Sequence, residues 1–130
     1  RKYKTNKAYS DTKIANLYFT YEMARRNKDV TGFPTVATAH PGWTRTDLQK
    51  HSFMFRVLNP IFGQKPEMGV LPTLRAATDP LVNSGDYFGP TKMGGMRGYP
   101  ELVKSNALSH DEGIAKKLWS ISEELTNIRY

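Results

Sequence analysis

The chain has 130 residues, the length of one domain, and 38% of them are hydrophobic and 24% charged, which is typical of a globular protein. The absence of cysteine excludes disulfides, thiolate metal sites and a cysteine nucleophile, and it fits a reducing, cytoplasmic environment. No apolar run approaches the roughly 20 residues of a membrane span, so we expect no membrane-spanning segment.

The net charge of +7 arises from 19 lysines and arginines against 12 acidic residues. These cations are spread along the chain, and the sequence contains none of the usual nucleic-acid-binding motifs. We therefore interpret the charge as a solvated surface and expect no nucleic-acid partner. The three histidines, His40, His51 and His110, lie too far apart to suggest a local metal site.

The first half of the chain predicts a helix followed by a strand. Apolar residues at three- and four-residue spacing indicate a helix over residues 8–27; they are Ile14, Leu17, Tyr18, Tyr21 and Ala24. Thr35–Ala39 is rich in β-branched and small residues, and it predicts a short buried strand that ends before Pro41 and Gly42. We expect a short helix to begin at residues 46–48.

The second half predicts two helices and a very short strand. A helix is indicated over residues 66–78, with a kink or an irregular first turn at Pro72. Residues 85–90 indicate a turn, a very short strand and a second turn, and the glycines of residues 94–98 predict a flexible loop. A capping box at residues 109–112 opens the last helix. We expect its apolar stripe to face inward: Ile114, Leu118, Ile121 and Leu125, widened by Trp119 and Ile128.

The predicted order is helix, strand, loop, helix, short strand and helix. This alternation predicts a layered α/β sheet. Two strands are too few to form such a sheet by themselves, so the sequence predicts one half of a larger domain.

Tyr9 and Lys13 stand four residues apart near the start of the first predicted helix. This spacing places the two side chains on one face of the helix, one turn apart. A free tyrosine titrates near pH 10, and a neighbouring ammonium favours its phenolate, so such a pair can exchange a proton with an alcohol or a carbonyl. The spacing alone also fits a surface tyrosine that packs on the lysine stem.

Pro41, Gly42, Thr44 and Thr46 follow the predicted strand, where open α/β sheets bind their ligands. Glycine permits a close backbone approach, and threonine hydroxyls and backbone N–H groups can bind amide or phosphate oxygens. By itself, a Pro-Gly pair after a strand also fits an ordinary turn.

Together, the helix with Tyr9 and Lys13, the strand and the loop of residues 41–46 resemble the carboxyl-terminal half of the short-chain dehydrogenase/reductase family. The similarity is strongest to the retinol-dehydrogenase-like branch of this family. The resemblance implies an α/β fold, the carboxyl-terminal half of a Rossmann-type doubly wound parallel sheet, with residues 1–130 forming part of a single domain. The similar segments are residues 9–17, 39–42, 85–89 and 118–126.

The resemblance also implies reversible alcohol–carbonyl oxidoreduction with NAD or NADP as the cofactor. In the family pattern Tyr9 is the catalytic acid/base, while Lys13 favours its phenolate and holds the nicotinamide ribose. The implied cofactor-binding set is Tyr9, Lys13, Pro41, Gly42, Thr44 and Thr46.

The apolar segment of residues 51–65 corresponds to the substrate loop of the family. A small apolar alcohol or carbonyl compound is the substrate that such a loop would accept. The residues we expect to contact it are Trp43, Phe53, Phe55 and Leu58. The apolar residues of this segment equally fit a cover for the core or a contact between subunits. Contact with a membrane surface beside Lys50, Arg56 and Lys65 is the least favoured interpretation.

Several family features have no match in these 130 residues: the glycine-rich cofactor loop, the NNAG segment, the catalytic serine and the residue that selects NAD or NADP. Neither Ser10 nor Ser52 stands at the position of the catalytic serine. We therefore expect an amino-terminal half that carries these features, and we expect the 130-residue chain alone to be inactive.

Two further points are expectations of the sequence. A non-catalytic, basic α/β binding or interaction module derived from such a fold is the alternative to an enzyme. Members of the family often form dimers and tetramers through helix pairing, so a homodimer or a homotetramer is the assembly that the resemblance implies, and the sequence leaves open whether this chain assembles.

Overall fold

The computed structural model describes residues 2–45, 59 and 63–130. The chain divides into two units, which we call the helical unit (Arg1–Val36 and Ser105–Tyr130) and the sheet unit (Ala37–Lys104). No helix in the described part of the chain is both long and apolar enough to cross a membrane. The elements are α1 (Thr5–Arg26), β1 (Thr38–Ala39), α2 (Pro66–Gly69), α3 (Leu71–Thr78), β2 (Tyr87–Lys92), β3 (Arg97–Leu102), a 3₁₀ helix (Ala107–His110) and α4 (Glu112–Thr126).

The sheet unit contains a three-stranded sheet in the order β1–β2–β3. β1 and β2 run parallel, with Thr38 opposite Tyr87, whereas β2 and β3 form an antiparallel hairpin. Helix α3 packs on this sheet through Arg75, whose guanidinium lies 5.2 Å from the centre of the Phe88 ring and donates to the Pro100 carbonyl at 2.7 Å. The predicted α/β class is confirmed, with a mixed sheet in the described residues.

The sequence does not predict β3, because Gly98 and Pro100 are both poor strand formers. The loop predicted at residues 94–98 is instead the turn of the hairpin together with the start of β3. Gly94 and Gly95 have φ angles of 67° and 85°, in the left-handed region that favours glycine, and this allows the chain to reverse within a few residues.

The predicted elements are found with shifted ends. Helix α1 begins three residues before the predicted start, whereas the predicted strand Thr35–Ala39 is reduced to β1. The helix predicted over residues 66–78 is divided into α2 and α3 at Val70. Pro72 lies in the first turn of α3, where its missing N–H is not needed by the helix. The short helix expected at residues 46–48 lies outside the described residues.

The core of the helical unit is the contact between α1 and α4. Tyr18 and Tyr21 of α1 are buried with Ala115 and Trp119 of α4. The Trp119 ring stacks on that of Phe19, with 5.1 Å between the ring centres. The inward position predicted for Trp119 is therefore confirmed.

The aliphatic stripe of α4 does not face inward as the sequence predicts. Ile114, Ile121 and Leu125 are all exposed, although Trp119 is buried. The tryptophan ring has a larger apolar area than any of these side chains, and the Arg26 guanidinium lies over it at 4.7 Å. The helix is therefore turned so that its aromatic side, and not its aliphatic stripe, packs on α1.

The start of α4 also differs from the prediction. Its cap is Asp111, whose carboxylate accepts a hydrogen bond from the backbone N–H of Ile114 at 3.0 Å. Ser109, the expected cap, lies in the 3₁₀ helix, where its own backbone N–H bonds to the Asn106 side chain. Asp111, two residues after Ser109 in the predicted box, fills the capping role instead, and the helix begins at Glu112.

Glu22 is a buried carboxylate in α1, with 2% of its surface exposed. Arg25 and Arg26 each donate to it at 2.9 Å. Burial alone raises the pKa of Glu22 and is the largest single influence, but the hydrogen bonds and charges of Arg26 and Arg25 together outweigh it, so the pKa lies below its ordinary value of 4.5. The carboxylate therefore stabilises the fold above that pH, and its contribution disappears as the pH falls through the lowered pKa.

We expect Glu22→Gln to reduce the free energy of unfolding by about 1–2 kcal/mol at neutral pH, because the charge-assisted bonds to both arginines are weakened. The difference from the wild-type protein should shrink when the pH is lowered from neutral to well below 4.5, because the carboxyl group becomes protonated as the pH falls through its lowered pKa. Urea unfolding of both proteins at the two pH values measures this. A difference that stays constant with pH would contradict the assigned role of Glu22.

Candidate active site

Tyr9 and Lys13 lie one turn apart on α1, as predicted. The Lys13 ammonium is 5.3 Å from the centre of the Tyr9 ring, a cation–π distance, and 55% of Tyr9 is exposed. The Thr12 hydroxyl donates a hydrogen bond to the Tyr9 carbonyl at 2.7 Å, so this hydroxyl is bound to the helix backbone and not to the Tyr9 side chain. The pair thus combines a positive charge and a phenol on a surface that a ligand can reach.

The loop after β1 holds Pro41, Gly42, Trp43 and Thr44 in a hydrogen-bonded turn. The Pro41 carbonyl accepts two bonds, from the Thr44 hydroxyl at 2.8 Å and from the Gln64 side-chain amide at 2.7 Å. The backbone N–H of Trp43 donates to the Met96 carbonyl in the turn of the hairpin at 2.8 Å. The loop at the carboxyl end of β1 is therefore fixed by bonds along its length.

Gln64 is the residue that ties this loop to the hairpin, and sequence reasoning does not identify it. It is 3% exposed, and while its side-chain nitrogen donates to Pro41, its side-chain oxygen accepts from the Gly98 N–H at 3.1 Å. Its backbone pairs with the loop as well, through bonds to Trp43 and Arg45 of 2.8 and 3.0 Å. A single glutamine in an irregular stretch has no spacing or motif that could reveal this role.

Two glycines make the close packing of this loop possible. Gly42 has a φ of 62°, and a Cβ atom there would lie 2.5 Å from the Met96 carbonyl oxygen and 2.7 Å from the Pro90 side chain. Gly69 in α2 leaves space for Thr44, whose hydroxyl would collide with any Cβ at that position. The loop can therefore adopt this conformation only because residues 42 and 69 are glycines.

His40 closes the end of β1. Its imidazole occupies the space above Gly89, where a Cβ would collide with the ring, and lies 5.2 Å from the Tyr87 ring. Its Nδ1 accepts from the Gly42 N–H at 3.3 Å. Burial lowers the pKa of His40, which favours the neutral ring in this packing position.

The substrate residues expected from the sequence are only partly described. Trp43 donates its indole N–H to the side chain of Asn59, a residue within the expected substrate segment, at 2.6 Å. The other expected contacts lie outside the described residues, as does one expected cofactor residue: Phe53, Phe55, Leu58 and Thr46.

The predicted site residues thus form two groups. Tyr9 and Lys13 belong to the helical unit, and Pro41, Gly42 and Thr44 belong to the sheet unit. Within each group the structure brings the predicted residues together. In the sheet unit, the parallel strand β1 ends in a glycine-containing turn, as strands do at the ligand-binding edge of Rossmann-type folds.

Comparison with known proteins agrees with this class. No family model matches the chain. The crystal structure of an uncharacterized protein from Mycobacterium paratuberculosis superimposes on the whole chain with a TM-score of 0.75 and 31% sequence identity, over 42% of its own length. The fold is thus that of part of a larger Rossmann-type protein.

The sequence relatives identify the family. Human retinol dehydrogenase 14 is 33% identical over 97% of this chain, and human retinol dehydrogenase 13 is 34% identical over 98% of it. Human retinol dehydrogenase 11 is 30% identical over 97% of it. The chain belongs to the short-chain dehydrogenase/reductase family and is related to its retinol dehydrogenases, as the sequence predicts. It spans 37–39% of the length of these relatives.

Proposed function

We propose that the chain is the catalytic Tyr/Lys and substrate-binding part of an NAD(P)-dependent oxidoreductase that interconverts an alcohol and a carbonyl. The observation that carries the proposal is the Lys13 ammonium over the exposed Tyr9 ring, in a chain whose relatives are named retinol dehydrogenases. A phenol beside a fixed positive charge is suited to exchange a proton with a substrate oxygen.

In this proposal Tyr9 holds the proton that passes between its hydroxyl and the substrate oxygen. Lys13 places its positive charge beside the Tyr9 ring, where it would stabilise the negative charge that develops on the substrate oxygen and the phenol during proton transfer, and it offers N–H donors to the ribose hydroxyls of the cofactor. The nicotinamide, when bound, supplies or accepts the hydride. The protein thus contributes the proton and the orientation of the reacting groups.

The loop after β1 is suited to a nicotinamide carboxamide. The Thr44 hydroxyl already donates to the Pro41 carbonyl, so Thr44 retains an oxygen lone pair that an amide NH₂ group can use. We propose that Pro41, Gly42 and Thr44, with Thr46, hold this part of the cofactor. The choice between NAD and NADP is not part of the proposal.

The proposed substrate is a small apolar alcohol or carbonyl compound, for which retinol and retinal are the first candidates because of the names of the relatives. Trp43 and the apolar residues 53, 55 and 58 would contact it. Four points stay predictions of the sequence: the amino-terminal half, the homodimer or homotetramer, the single domain and the cytoplasmic location.

The test is retinal reduction by the full-length gene product, followed by the absorbance of NADH or NADPH. We expect turnover with one of the two cofactors, and no turnover by the 130-residue chain alone. Activity of the short chain would contradict the expected inactivity. A full-length protein that binds neither cofactor but binds DNA or a protein in a salt-sensitive way would instead support the interaction module.

A further inference from the structure

Gln64 holds the loop after β1 through a buried side-chain amide, and both halves of this amide are used. The side chain donates from Nε2 to the Pro41 carbonyl at 2.7 Å and accepts at Oε1 from the Gly98 N–H at 3.1 Å. Buried polar groups are costly to leave without a partner. The amide therefore determines where the two backbone groups that it joins can lie.

The Pro41 carbonyl is shared between two donors, the Gln64 amide and the Thr44 hydroxyl. A carbonyl oxygen has two lone pairs, so these bonds of 2.7 and 2.8 Å occupy both of them. The hydroxyl proton of Thr44 is used in its bond to this carbonyl, and Thr44 can then offer a ligand only its oxygen lone pairs. A movement of the carbonyl would therefore also move or release the hydroxyl of Thr44.

The side chain at position 64 must combine one donor with one acceptor. The Pro41 carbonyl can only accept a hydrogen bond and the Gly98 N–H can only donate one, so neither can adapt to a different side chain. A glutamate carboxylate has acceptors only, and it would place a negative charge against the carbonyl oxygen. The backbone bonds of residue 64 to Trp43 and Arg45 do not depend on its side chain, so we expect variants at this position to fold.

We propose that Gln64 is a positioning residue for the nicotinamide end of the cofactor, an inference that rests on the proposed function. Gln64 fixes the Pro41 carbonyl, the carbonyl fixes the Thr44 hydroxyl, and the oxygen of this hydroxyl receives the carboxamide NH₂ group. Gln64 acts through these two residues and takes no part in the proton or hydride transfer. Loss of its side chain should therefore weaken binding of the nicotinamide and leave binding of the ADP part of the cofactor unchanged.

Gln64→Glu in the full-length gene product tests this role by isothermal titration calorimetry with two ligands. The Kd for NADH or NADPH, whichever the wild-type protein binds, should rise about tenfold, the effect of one lost hydrogen bond. The Kd for the matching ligand without nicotinamide, ADP-ribose or its 2′-phosphate, should stay at the wild-type value. In steady-state kinetics the KM for the reduced cofactor should rise, whereas the KM for retinal should not.

Gln64→Met is the second variant, because it nearly keeps the length of the side chain and adds no charge. It should raise the Kd for the reduced cofactor about three- to tenfold and leave that for ADP-ribose unchanged, and it provides the test if Gln64→Glu does not fold. Asn106→Ala is the matched control. It also removes a side-chain amide that binds a backbone N–H, that of Ser109 in the helical unit, and it should leave both dissociation constants unchanged.

Equal weakening of the binding of reduced cofactor and ADP-ribose would overturn the proposal, because it would indicate general damage to the fold. Wild-type affinity for reduced cofactor in both variants, or failure of both variants to fold, would overturn it as well. In these cases the wild-type protein still binds the cofactor, and the proposed function stands. A wild-type protein that binds neither NADH nor NADPH would instead overturn the proposed function and this positioning role together.

Discussion

Replacement of Tyr9 by phenylalanine should lower kcat of the full-length gene product by about 10²–10⁴-fold, the usual contribution of a general acid or base. The ring and its contact with Lys13 are kept, and only the hydroxyl that exchanges the proton is removed. The dissociation constant of the cofactor should stay close to that of the wild-type protein. Steady-state kinetics and fluorescence titration with reduced cofactor measure the two effects separately.

Tyr99→Phe is the control for this variant, since it makes the same chemical change at an exposed tyrosine of β3. It should leave kcat unchanged. Lys13→Ala should reduce both kcat and cofactor affinity, because the proposal gives the ammonium two roles. A Tyr9→Phe variant with wild-type kcat would remove Tyr9 from the mechanism.

Gly42→Ala should be among the most destabilising single substitutions in the sheet unit. Its positive φ costs about 1 kcal/mol for a residue with a side chain, and the contact of 2.5 Å with the Met96 carbonyl adds about 1–3 kcal/mol more. The opposing atom belongs to the backbone of the hairpin, so it cannot move aside as a flexible side chain would. Thermal or urea unfolding of the purified protein measures the loss.

Gly94→Ala separates the two contributions. Gly94 also has a positive φ, of 67°, but a Cβ there would have no atom within 4 Å. It should show only the conformational cost of about 1 kcal/mol. If both variants lose the same free energy of unfolding, the close packing of Gly42 against the hairpin does not contribute to stability.

The pairing of Tyr9 with Lys13 follows directly from the sequence, because both residues belong to one helix and helical spacing fixes which side chains are neighbours. The turn after β1 can also be predicted from the sequence, because Pro41 and Gly42 are typical of a turn that follows a strand. Local chemistry determines both features. Sequence reasoning therefore identifies the family and the residues of each group, while their catalytic roles stay a proposal.

Features that depend on tertiary contacts are harder to predict. The buried side of α4 is decided by Trp119 stacking on Phe19, a contact between residues 100 positions apart in the chain, whereas the local pattern favours the aliphatic stripe. Strand β3 forms although Gly98 and Pro100 disfavour it, because the hairpin turn brings it alongside β2. Gln64 acquires its role only when the loop and the hairpin meet around it.

The two hydrogen bonds that the Gln64 side chain makes, one to Pro41 and one to Gly98, have a consequence for protein engineering. Gln64 connects the hairpin to the loop after β1. A change of length or sequence at the base of the hairpin would therefore shift the residues of the proposed nicotinamide pocket. The tip of the hairpin at Gly94 has open space around it. Libraries that alter substrate range should therefore leave Met96 and Gly98 fixed, and a label or affinity tag is best inserted at the tip.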